Sequence, residues 1–265
     1  MNNFSVNLET IEQAVKSTKM NKAPGHDGIV GEHIMHSHPA LLVHLKLLFN
    51  MILKTGHVPS EFGKGVVIPI IKDKAGNPSV LDNYRPITLS PVISKIFEHC
   101  LMSPFSSYIS SDSLQFGFKP GLSCSHAIFT LRTVCDYFNK RGSNIYIASL
   151  DASKAFDKVD RSKLFTLLKV NKVPLCFINI MTDWYSKLYT VVRWNDAESS
   201  VFQVKSGVRQ GGVLSSILFN FYVNILICSL KISDFGCHVH DLYVGCILYA
   251  DDILLILASI CMLQN

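Results

Sequence analysis

Apolar positions along the 265-residue chain follow two periods, one helical and one extended. Residues 9–20 put Ile11, Ala14 and Val15 on one side of a helix, and Pro39 opens a longer one through Leu41, Leu42, Leu45, Leu48, Phe49 and Ile52, ended by Gly56. β-Branched runs at 65–72 and 83–89 read as strands around a polar turn at 73–78. Helices are predicted over 90–101 and 125–138, and a strand over 144–151 that ends in Asp151. Asp160 is a natural N-cap for a helix over 161–170, Pro174 starts another through Trp184 and Tyr185, and 191–204 reads as a hairpin turning at Asn195 and Asp196. A glycine-rich loop at 206–214 opens an uncharged stretch, 213–230. Residues 247–257 read as two short strands joined by a tight turn near Ala250, Asp251 and Asp252. Pro and Gly punctuate loops at 19–29 and 115–121. The second loop carries Phe116 and Phe118, which either stack on bases or simply pack.

Composition narrows the class. With 48% hydrophobic and only 17% charged residues, a sizeable buried core is expected. The net charge of +5 permits an anionic partner without demanding one. The stretch 213–230 is long enough to be weighed as a membrane span, but Asn220, Asn224 and several hydroxyls within it favour a buried helix. The apolar run after Gly245 carries two Asp near its middle, which a lipid-facing span tolerates poorly. No basic region followed by an apolar one marks the start as a signal peptide. The eight cysteines, Cys100, Cys124, Cys135, Cys176, Cys228, Cys237, Cys246 and Cys261, include no C-x-x-C pair and no zinc spacing. They are expected to be reduced, mostly buried thiols of an intracellular protein.

Asp251 and Asp252 are the anomaly. Two adjacent carboxylates inside an apolar run are explained either by a solvated turn or by a bound cation that offsets their repulsion. Asp151, at the end of a separate strand, adds a third acid; if the two strands are neighbours, all three converge at one sheet edge. Such a layout suits two Mg²⁺ ions and in-line nucleotidyl transfer. Lys72 and Arg85 flank the 73–78 turn, as cations for a triphosphate or as solvated charges beside a hairpin.

The motifs then carry a resemblance. YADD at 249–252 resembles the C motif of reverse transcriptases, LDASKAFD at 150–157 their A motif, and SGVRQGGVLSSILFNFYVN at 206–224 their B motif. NKAPGHDGI at 21–29, NYRPITL at 83–89 and QFGFKPG at 115–121 resemble the amino-terminal blocks of the non-LTR, LINE-type branch. The resemblance implies an α+β right-hand polymerase, with fingers at 1–143 and a palm at 144–265 whose antiparallel sheet packs on helices, the thumb being absent. It implies an RNA-templated DNA polymerase of a non-LTR retrotransposon, with two Mg²⁺ (or Mn²⁺) held by Asp151, Asp251 and Asp252. The backbone carbonyl of Ala152 would also face a metal. Phe156 matches the bulky position under the sugar that excludes a 2′-hydroxyl, and Gln210 and Gly211 match the loop along the incoming nucleotide. Lys72 and Arg85 match the triphosphate cations, Tyr249 matches the residue beside the primer terminus, and the loop around Pro24 and Gly25 would sit near the template. The implied partners are an RNA template, a DNA primer and dNTP, without a membrane, in a nuclear and cytoplasmic ribonucleoprotein.

The sequence departs from the family pattern in places. Arg209 stands where Pro is usual before the motif's Gln, and is expected to touch the template; Ser216 also replaces a usual Pro. The family pattern continues beyond the C motif with more palm and a thumb, and places an endonuclease upstream. The alternative is therefore an inactive retrotransposon remnant that at most binds nucleic acid.

Overall fold

The computed structural model describes residues 4–233 and 235–259; Cys261 lies outside them. In chain order the elements are α1 (Leu8–Lys16), α2 (Gly31–Met35), α3 (Ala40–Thr55), β1 (Lys64–Ile71), β2 (Tyr84–Leu89), α4 (Val92–Phe105), α5 (Cys124–Asn139) and β3 (Tyr146–Asp151). They continue with α6 (Arg161–Val170), α7 (Leu175–Ser186), β4 (Tyr189–Trp194), β5 (Ala197–Glu198), β6 (Phe202–Gln203) and α8 (Leu214–Ile232). The last are β7 (His238–Val239), β8 (Leu242–Tyr243), β9 (Cys246–Tyr249) and β10 (Asp252–Leu257). Two compact units form, Met1–Tyr108 with Asp160–Ser215, and Ile109–Val159 with Ser216–Asn265. This division follows packing, whereas a boundary at 143/144 follows the motifs.

In the first unit, local rules explain most helix ends. The Asn7 side chain accepts from Thr10 N–H and caps α1. The helix stops at Lys16, short of residue 20, and the Ser17 and Thr18 hydroxyls both donate back to the Ala14 carbonyl there. Pro39 precedes α3 and Gly56 caps it, and Asp160 accepts from Ser162 and Lys163 at the start of α6. β1 pairs antiparallel with β2, as the hairpin reading expects, and parallel with β4. The 191–204 hairpin becomes three short strands, β5 and β6 both pairing with β4. Phe62 and Phe97 pack around the buried Trp184, with ring centroids 5.9 and 5.8 Å away. The indole N–H is satisfied by the Phe62 carbonyl at 3.1 Å.

In the second unit, β3, β10 and β9 form an antiparallel sheet in the order β3-β10-β9. Its residues alternate between two cores. Ile247 and Ile256 pack with Ala127 and Val134 of α5, while Cys246 and Leu248 pack with Ile227 of α8. An antiparallel sheet with helices on its faces is the α+β arrangement expected. Helix α8 is long and apolar enough to cross a membrane by length and composition alone. It is buried along its first half, through Leu214, Leu218, Phe219, Asn220 and Phe221, but exposes Ile225 and Ile232 later. The expected buried helix is thus buried in part. The seven described cysteines are free thiols. Burial pushes the Cys100 thiol up to about 12 and the Cys246 thiol up to about 11, so both stay protonated.

Candidate active site

β9 and β10 are joined by Ala250 and Asp251, and the register sets Asp252 opposite Tyr249 on one side and opposite Asp151 on the other. The two carboxylates at Asp151 and Asp252 therefore face each other across neighbouring strands, an arrangement that is repulsive without a cation. Both residues are exposed, and among the described residues no basic side chain pairs with Asp151, Asp251 or Asp252. The backbone thus brings the three acids to one sheet end. The side chains are not closed into a cage: among the described residues no three His, Cys, Asp or Glu are grouped to hold a metal ion. The donor set still fits a hard divalent cation, since Mg²⁺ needs only one or two carboxylates when substrate phosphates complete its shell.

The turn has a support that the motifs did not reveal. Ala250 has φ of +58°, a left-handed conformation unusual for a residue with a side chain. Gln115, 1% exposed, holds it: the side-chain oxygen accepts from Ala250 N–H at 3.0 Å, and the amide nitrogen donates to the Ala250 carbonyl at 3.2 Å. The same oxygen accepts from Gly117 N–H at 2.8 Å. The backbone beside it pairs with β9, Phe116 N–H with the Leu248 carbonyl and Leu248 N–H with the Leu114 carbonyl. A Cβ at Gly117 would lie 2.2 Å from Ala250 N, so only glycine lets this loop lie against the turn. The 115–121 loop is therefore chiefly a brace. Phe116 packs in the α5 core, and Phe118, half-exposed, meets the Phe156 edge at 5.6 Å.

Phe156 sits in the turns before α6. Its ring stacks on Phe219 of α8, centroids 4.4 Å apart and planes 12° apart. An open cleft of about 270 Å³ lies beside this stack, lined by Ala152, Ser153, Ala155, Phe219, Tyr222 and Asp251 among others. The Ala152 carbonyl already accepts from Ala155 N–H at 3.1 Å, which leaves one lone pair for any further partner. Tyr249 is half-buried and packs against the α5 core.

In the first unit the β1–β2 register sets Ile70 opposite Arg85, and Lys72 follows directly on the end of β1, its N–H donating to the Asn83 carbonyl at 2.8 Å. Lys72 and Arg85 are both exposed; the Lys72 ammonium donates to the Asp82 carbonyl at 2.8 Å. Pro24 and Gly25 lie in a loop whose Gly25 backbone rests on Ser90 and Pro91. Gly211, with φ of +79°, presses on the end of β2, where a Cβ would lie 2.3 Å from the Thr88 carbonyl oxygen. Thus Gly25 and Gly211 both approach the segment 88–91. Ser90 within it is 2% exposed, and among the described residues its hydroxyl has no hydrogen-bond partner.

Arg209 requires a correction. The expected template contact is instead 7% exposed, and its guanidinium bonds Glu98 at 3.1 Å. The reason is the partner on α4: a buried carboxylate captures a buried cation. Arg161, which the motifs also left unassigned, donates to the carbonyls of Tyr185, Val204, Ser206 and Gly207, and so ties down the start of the glycine-rich loop. Neither Glu98 nor Arg161 carries a local signal, since the partners of each lie tens of positions away in the sequence.

The chain belongs to the reverse transcriptase (RNA-dependent DNA polymerase) family, which residues 71–265 match. It is 27% identical over 248 residues to the Pol polyprotein of the type-2 retrotransposable element R2DM of Drosophila melanogaster, covering 92% of this chain and 23% of that protein. It is 29% identical over 221 residues to a probable RNA-directed DNA polymerase from the X-element transposon of the same fly, covering 81% and 24%. It is 27% identical over 268 residues to the RNA-directed DNA polymerase of the mobile element jockey of Drosophila funebris, covering 98% and 28%. The resemblance to non-LTR retrotransposon enzymes is thus met along most of the chain, which spans about a quarter of the length of these relatives.

Proposed function

We propose that this chain is the core of an RNA-templated DNA polymerase, which joins a dNTP to a primer 3′-hydroxyl with release of pyrophosphate. The observation that carries the reading is the register of Asp151 against Asp252, with Asp251 in the adjoining turn. Three uncompensated carboxylates at one sheet end are a poor structural device and a good cation site. Asp151, Asp251 and Asp252 would hold two Mg²⁺ ions, which when bound make the attacking hydroxyl a better nucleophile and neutralise the leaving group. Phe156 is assigned to the sugar, Lys72 and Arg85 to the triphosphate, Gln210 and Gly211 to the incoming nucleotide and template. Tyr249 is assigned to the primer end, and Pro24 and Gly25 to the template. The motif order also supports fingers at 1–143 and a palm at 144–265, acting within an intracellular ribonucleoprotein.

Mg²⁺-dependent dNTP addition on a primed RNA template tests this reading. Extension is expected from the unmodified protein and none from Asp251→Ala. Extension that survives Asp251→Ala removes the acids from the chemistry, and nucleic-acid binding without extension reduces the chain to a binding remnant. Phe156 makes a second prediction. Phe156→Val removes the ring assigned to the sugar, so ribonucleotide incorporation should rise about tenfold or more relative to dNTP, a range typical of pocket discrimination. Phe219→Leu, which removes only the stacking partner, should leave that ratio near its starting value. Equal ratios in all three proteins refute the assignment.

A further inference from the structure

The glycine-rich loop is fastened to α4 by buried charges. The Arg209 and Glu98 side chains are 6% and 3% exposed, and Nη1 of Arg209 lies 3.1 Å from Oε1 of Glu98. Nη2 donates to the Ser94 hydroxyl at 2.6 Å, and the guanidinium carbon lies 4.8 Å from the Trp184 ring centroid. The second Glu98 oxygen accepts from Val213 N–H. The Ser215 hydroxyl donates to the Arg209 carbonyl, which also accepts from Gly212 N–H. One carboxylate therefore grips the loop on both sides of Gln210 and Gly211. Burial pushes the Glu98 carboxyl above the usual carboxylate range, against which Arg209 and the Val213 N–H act.

A buried ion pair is a weak stabiliser, because apolar side chains of the same volume usually do as well. Its distinctive effect is geometric, since two charges and a fixed set of hydrogen bonds admit one loop shape. The Arg209 side chain also supplies what a proline at its position would lack, a charged anchor reaching α4. We propose that Glu98 and Arg209 are a positioning pair that holds Gln210 and Gly211 in the shape that receives the incoming nucleotide. The proposal rests on the assignment of those two residues to the nucleotide.

Hydrogen exchange of the 207–213 amides, and affinity for a dNTP on a primed RNA template with Mg²⁺, test it in a double-mutant cycle. The proteins are the unmodified chain, Glu98→Gln, Arg209→Gln, the double variant and Ile96→Val, a cavity control on the same helix. Each single charge variant should speed exchange at 207–213 and weaken dNTP binding about tenfold, since each strands a buried charge. The double variant should recover most of both, because its two amides carry no charge and keep bonding partners. Ile96→Val should lower Tm and change neither readout. Unchanged exchange in the single variants, or a double variant no better than their sum, overturns the pair. Failure of the unmodified chain to bind dNTP, with exchange behaving as expected, overturns the nucleotide assignment and leaves the clamp.

Discussion

Gln115 sits at the centre of the residue-scale picture. Its amide meets both backbone groups of Ala250, 135 positions away, and holds a left-handed alanine beside the acidic pair. The aspartates themselves were legible, because adjacent charges in an apolar run are anomalous in any context. Gln115 was not, because a glutamine near a glycine looks like any polar loop residue until its partner is known. Gln115→Leu strands the N–H groups of Ala250 and Gly117 and the Ala250 carbonyl, and should cost about 2–4 kcal/mol of stability. Urea unfolding measures this, and a change under 1 kcal/mol, roughly one ordinary hydrogen bond, would show that the brace is dispensable. Arg209 teaches the converse: an arginine in the glycine-rich loop faces inward because Glu98 meets it there.

Among the elements, α8 shows best how charge and burial divide a helix. Its first half is core, and its end is tied down by Lys231, whose ammonium lies 2.6 Å from Asp112 Oδ2. Asn224 of the same helix accepts from Asp112 N–H at 2.8 Å. Burial pushes the Asp112 carboxyl up, but its bonds to Lys231 and Leu114 N–H outweigh this and leave it below its ordinary 3.8. A depressed folded value means that the stabilisation is full above the unfolded value and is lost as pH falls through the folded one. Asp112→Asn should therefore lower stability by about 1–2 kcal/mol at pH 7, and the gap should shrink as pH falls below about 4. Denaturant titrations at several pH values check this; a gap as large at the lowest pH refutes the ion pair as its source. The β1–β2 hairpin is the other element of consequence, since Arg85 lies within its register and Lys72 directly follows β1.

For the whole molecule, the proposed cation site makes a prediction that needs no turnover. A ligand that binds only the folded state raises stability by about 2.7 kcal/mol at 100 times its Kd. Saturating Mg²⁺ should thus raise Tm by several degrees over the same protein in EDTA, and Asp151→Ala or Asp251→Ala should abolish the shift. An equal shift in the variants places the ion elsewhere. The sequence by itself determined most of the longer elements, since periodicity and caps act over a few residues, and it determined the family, since six motifs stand in order. It marked the three acids for the same local reason. Only the tertiary structure decided that β1 runs parallel to β4, that Asp252 rather than Asp251 opposes Asp151, that Gln115 carries the turn, and that Arg209 is buried against Glu98. Each of these joins residues about 100 or more positions apart, and such pairing is set by packing and charge satisfaction, which leave no trace in any contiguous stretch.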